Sequence, residues 1–113
     1  MTMIKEDYCS YELCEQLKEK GMDKSCFTHY VQKNNNDGTS EVVLVCTHQM
    51  ARKWLRKIYG IDIVIEITDP SAKDRKYYCV IWDKNCDSYI IDLFDSYEEA
   101  VEEALKYVLE NLI

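Results

Sequence analysis

The stretch THQMARKWLRKIYGIDIVIEI, residues 47–67, carries two different hydrophobic periods with one glycine between them. Ala51, Trp54, Leu55 and Ile58 recur at i, i+3, i+4 and i+7, the spacing of one buried stripe on a helix, and Thr47 offers a hydroxyl N-cap in front of it. From Ile61 onward the period drops to two. Ile61, Ile63, Ile65 and Ile67 alternate with Asp62, Val64 and Glu66, so the segment reads as a strand with one face in the core and the other at least partly wet. Gly60 stops the helix, since a residue without Cβ takes up the left-handed turn at little cost.

Working outward from this pair fixes the rest of the order. Upstream, CFTHYVQ (26–32) and EVVLVC (41–46) flank an Asn-rich stretch ending in Asp37-Gly38 and read as a hairpin with a long tip. Before it, SYELCEQLKEKG (10–21) is a short helix with Ser10 as N-cap, Leu13, Cys14 and Leu17 on one face, and Gly21 as the stop. Downstream, TDPSAKDR (68–75) is a loop fixed by Pro70, and KYYCVIW (76–82) and SYIIDLF (88–94) form a second hairpin around DKNCD. The chain closes with SYEEAVEEALKYVLENLI (96–113). There Ser96 and Glu99 make a capping box, and Ala100, Val101, Ala104, Leu105, Val108 and Leu112 make the stripe. The expectation is a single α+β domain over 1–113, in the order α-β-β-α-β-β-β-α. Its sheet should have about five strands, mixed but mostly antiparallel, with three helices on one face.

Composition bounds the function. A chain of 113 residues, 47% hydrophobic and 31% charged, suits one core and no second domain. Acidic residues in MTMIKEDYCSYE interrupt any secretory signal, and no apolar run approaches the roughly 18–20 residues of a membrane span. A soluble cytoplasmic protein is therefore expected, with no membrane partner. The six cysteines, Cys9, Cys14, Cys26, Cys46, Cys79 and Cys86, include no CxxC pair. They read as reduced thiols that pack as small hydrophobes, and neither a metal nor a cofactor is expected from their spacing to one another or to His29 and His48.

Charge is unevenly spread. All of the net charge of -7 lies in residues 87–113, where eight acidic side chains face Lys106 alone. The helix at 48–58 is instead basic: Arg52 with Arg56, and Lys53 with Lys57, form two rows at i, i+4, and like charges at that spacing cost roughly 0.2–0.5 kcal/mol per pair. Acidic residues Glu98, Glu99, Glu102 and Glu103 of the helix at 96–112 are the natural complement, within one chain or between copies, which points to protein–protein interaction or self-association. Nucleic acid is disfavoured as a partner, because an acidic chain lacks the footprint of a phosphate binder.

Catalytic patterns are thin. No P-loop, GxGxxG, HExxH or GxSxG occurs, and first-turn acids such as Glu98 and Glu99 are explained by the helix dipole. Asp92 and Asp95, beside Glu98 and Glu99, complete a carboxylate run in which no acid/base pair is required. Cys46 and His48, at a strand-to-helix junction, are the one sequence-local thiol–imidazole pair. Together with Tyr77 and Tyr89 of the aromatic hairpin they define an alternative, a small-ligand pocket or minor enzyme. Tyr78 and Tyr97 belong to the same aromatic group, and Trp54 belongs to the core stripe.

The segments THQMARKWLRKIYGIDIVIEI and FDSYEEAVEEALKYVLENLI resemble a group of small phage, prophage and mobile-element proteins of gut Bacteroides-type bacteria. The resemblance implies such an origin and no established activity. Arg52 and Lys57 depart from the group, where those positions are more often apolar and acidic respectively, so the basic face is particular to this chain. The terminal strand and SYEEAVEEALKYVLE are also similar to the end of small antitoxins with a partial RNase-H-like fold, which implies an inhibitor that works by binding.

Overall fold

The computed structural model describes residues 7–69, 71, 73 and 75–113. Residues 1–6, Pro70 with the loop role read for it, Ala72, Asp74 and the side chain of Asp92 lie outside that description. Among the described residues three α-helices and five strands follow one another in the expected order, with a 3-10 turn at Lys24–Cys26 between the first helix and the first strand.

Each helix begins where a hydroxyl can satisfy an orphan amide. In α1 (Tyr11–Glu19), Ser10 Oγ accepts from the Leu13 amide at 3.2 Å. In α2 (His48–Tyr59), Thr47 Oγ1 accepts from Met50 at 3.1 Å, and in α3 (Tyr97–Asn111) Ser96 Oγ accepts from Glu99 at 3.1 Å. Each such cap stabilises by about 1 kcal/mol. Gly60 ends α2 in the left-handed region at φ 67°. This lets β3 (Asp62–Ile67) start two residues after the helix stops.

The strands pair within hairpins. β1 (His29–Asn34) and β2 (Ser40–Val45) are antiparallel, with His29 opposite Val45 and Asn34 opposite Ser40. β3 pairs with β4 (Tyr77–Trp82), and β4 with β5 (Ser88–Phe94), both antiparallel, with a register shift between Tyr77 and Cys79. The five strands thus divide into a two-stranded and a three-stranded sheet, where one sheet was expected. Just past Val45, residues 46–48 pair with residues 7–9, while β3 pairs with β4.

One face of the β3-β4-β5 sheet is covered by α3, which touches all three strands. Ile63, Cys79 and Ile81 bury against Ala100, Val101, Ala104, Leu105 and Val108, and α1 adds Leu13, Cys14 and Leu17 to the same core. Fully burying a leucine or isoleucine stabilises by about 1.5–3 kcal/mol, so this face dominates the energetics. Other side chains of the three strands point to the opposite face. Val64, Val80 and Ile90 form a cross-strand row there, and Ile90 is 72% exposed.

Two helix-stripe expectations change in detail. Trp54 is half-buried against the core, as its spacing implies, but Ile58 is 62% exposed. Tyr59 takes the core-side place instead, edge-on to Trp54 at 5.3 Å with its hydroxyl donating to Lys20 O. Leu112 is partly buried at the end of α3.

Candidate functional site

Residues 7–9 run antiparallel to residues 46–48. The Cys9 amide donates to Cys46 O and the His48 amide to Asp7 O, each at 2.9 Å, and Tyr8 lies opposite Thr47. From this short pairing the chain turns into α1 through Ser10 and into α2 through Thr47. Two helices therefore start side by side, and Glu102 of α3 reaches both starts. Its Oε1 accepts from the Ser10 amide at 2.9 Å and its Oε2 is bonded to His48 Nε2 at 2.7 Å. A carboxylate only accepts, so Nε2 carries the proton. The side chains of His48 and Glu102 are 10% and 18% exposed. Burial alone raises the Glu102 carboxyl, but the hydrogen bonds from His48 and Ser10 outweigh it and hold the group below its ordinary range.

Three thiols adjoin this pair. Cys46 Sγ lies 3.6 Å from Cys9 Sγ, Cys9 Sγ donates to Thr47 O at 3.7 Å, and Cys14 Sγ donates to Cys9 O at 3.8 Å. All are buried and none is in a disulfide. Hydrogen bonding with Cys14, reinforced by burial, pushes Cys9 up and pushes Cys46 up to about 12. Hydrogen bonds from Cys46 and Cys9 lower Cys14.

Cys9 Sγ, a His48 ring nitrogen and a Glu102 carboxylate oxygen lie within 4.8 Å of one another. These three could hold a metal ion. Beside them a cleft of about 340 Å³, with Asp7, His48, Arg52 and Tyr97 in its wall, opens to solvent. Sequence spacing finds His48 and Glu102 singly but not together, and it misses Cys9 as their neighbour; only the tertiary fold unites positions 9, 48 and 102.

The basic residues of α2 separate into two roles. Arg52 is turned inward: its guanidinium donates to Ile63 O at 2.6 Å and to the Tyr97 hydroxyl at 3.0 Å, so it ties α2 to β3 and α3. Lys53, Arg56 and Lys57 are exposed, and among the described residues no acidic side chain lies within 4 Å of any of them. The acidic helix does not neutralise that face. Glu102 serves His48, Glu103 pairs with Lys106 on its own helix, and Glu98 and Glu99 are exposed at its start. Asp95 pairs with Lys76.

Tyr77 and Tyr89 of the aromatic hairpin both pack on aromatic side chains of α3. Tyr77 packs edge-on against Tyr97 near the start of α3, and Tyr89 packs against Tyr107 near its end, with its hydroxyl donating to Asp83. Cys46 is fully buried. Among the described residues no helix is long and apolar enough to cross a membrane. The chain matches no protein-family model, no curated protein and no solved structure.

Proposed function

We infer that the protein is a non-enzymatic interaction protein that binds an acidic protein surface through the exposed side of α2. One observation carries this reading. In a chain with 21 acidic residues against 14 basic ones, Lys53, Arg56 and Lys57 stand exposed together without an acidic neighbour among the described residues. Lys53 and Lys57 repel one another at i, i+4, and an opposite charge brought by a partner relieves that cost. The same helix carries Met50, half-buried Trp54 and exposed Ile58 at four-residue intervals beside the two lysines. An apolar strip with a charged rim is the usual composition of an interface.

A second copy of this chain offers one suitable surface, the exposed Glu98 and Glu99 at the start of α3. A phage or mobile-element origin and an antitoxin-like inhibitory role are finer forms of the same reading, supported by the resemblances of 47–67 and 94–113. A cytoplasmic location is supported by the cysteines, all of which are free.

Sedimentation velocity across ionic strength tests the proposal. The expected result is an association that weakens as salt rises, is lost in the Lys53→Glu, Arg56→Glu, Lys57→Glu variant and returns when that variant meets Glu98→Lys, Glu99→Lys protein. A chain that stays monomeric at low salt excludes self-association and moves the search to a foreign acidic partner cross-linked through Lys53 or Lys57. Association indifferent to both salt and charge reversal refutes the α2 surface.

A further inference from the structure

The cluster at the common start of α1 and α2 is not used by the interaction surface, and its chemistry points elsewhere. We propose that Cys9, His48 and Glu102 bind one zinc-class divalent cation at the junction of the three helices. The donor set decides the class. A thiolate, an imidazole and a carboxylate together suit zinc and its spectroscopic substitute cobalt, whereas calcium and magnesium call for oxygen donors throughout.

Distances permit it with small movements. Bonds of about 2.0–2.3 Å in tetrahedral array set neighbouring donor atoms about 3.3–3.7 Å apart. The three donors already lie within 4.8 Å of one another. The His48–Glu102 contact, now 2.7 Å, widens by about 0.6 Å to admit the ion. The cation sits between imidazole and carboxylate: the neutral imidazole moves its proton to Nδ1 and binds through Nε2, and the Cys9 thiol gives up its proton to solvent, so binding releases a proton and leaves every ligand in its coordinating form.

Each ligand is already held by a neighbour. Cys9 is fixed by the hydrogen bond its amide donates to Cys46 O, His48 by the one its amide donates to Asp7 O and by its place in the first turn of α2, and Glu102 by the Ser10 amide on its other oxygen. Such outer contacts orient ligands and support affinity. Three protein ligands leave a fourth position for water or an exogenous group, the pattern of zinc sites that do chemistry or exchange ligands. The cleft beside His48 supplies the route in. Cys46 touches Cys9 but falls outside the three-donor group, so it is not required as a ligand.

The test uses full-length, reduced, metal-stripped protein titrated with cobalt(II) and then with zinc(II). One equivalent of cobalt should produce a near-ultraviolet thiolate charge-transfer band with tetrahedral visible bands, and zinc should abolish both. Cys9→Ser, His48→Gln and Glu102→Gln should each weaken binding by about 100-fold or more, while Cys46→Ser and Cys86→Ser should keep it. X-ray absorption on the zinc-loaded wild type, independent of any variant's folding, should find one sulfur among nitrogen and oxygen neighbours. No charge-transfer band, an all-sulfur shell, or a band lost only in Cys86→Ser, whose thiol is exposed, would overturn the assignment.

Discussion

Cys79 is fully buried on β4, and its sulfur donates to the Ala100 carbonyl of α3 at 3.1 Å. Burial, with a smaller contribution from Glu103 and against the pull of Arg52, raises the thiol from 9.0 to about 11. The folded value exceeds the unfolded one, so the contribution is intact below the unfolded value and is lost as pH rises through the folded one. Wild type should therefore lose about 2 kcal/mol between pH 9 and pH 11 that Cys79→Ser does not lose, because serine keeps a donor there without titrating. Urea unfolding at a series of pH values measures the difference; parallel curves would show that Cys79 is not the titrating group. Cys86 presents a different residue-scale tension. It holds φ 66° in the β4–β5 turn, a conformation costly for any side chain. Cys86→Gly should raise stability by about 0.5–1 kcal/mol, read as a higher melting temperature.

Elements were legible where a local signal decides them. Ser10, Thr47 and Ser96 were recognisable as caps because a hydroxyl precedes an amphipathic stripe, and Gly60 because the hydrophobic period changes immediately after it. Ile58 was misplaced for an equally local reason: a period of 3.6 leaves two residues, Ile58 and Tyr59, competing for the last core-facing position, and the aromatic ring on Trp54 wins it. Gly60 carries more than a stop signal. A Cβ added there would sit 3.1 Å from Lys84 Cβ in an already left-handed backbone. Gly60→Ala should thus cost about 1–2 kcal/mol, measured by thermal unfolding, with α2 and β3 losing amide protection together.

At the scale of the whole molecule, the α+β order follows from the element signals, but the division into two sheets does not. Alternation in EVVLVC and IDIVIEI says which face is buried and is silent about which neighbour supplies the hydrogen bonds. The site was less legible still, since Cys9, His48 and Glu102 show no metal spacing and meet only because residues 7–9 pair beside the start of α2. That meeting bears on the order in which the protein acquires its structure. The bond from Ser10 to Glu102 closes a separation of 92 residues and the one from His48 to Glu102 a separation of 54. Loops that long are closed late, after the hairpins have gained their nearer contacts. The carboxylate should then act as a latch, absent from the folding transition state and present in the native one. Glu102→Ala should speed unfolding by about ten-fold or more while leaving the refolding rate nearly unchanged, and stopped-flow measurement of both limbs distinguishes this from an early role, in which refolding itself would slow.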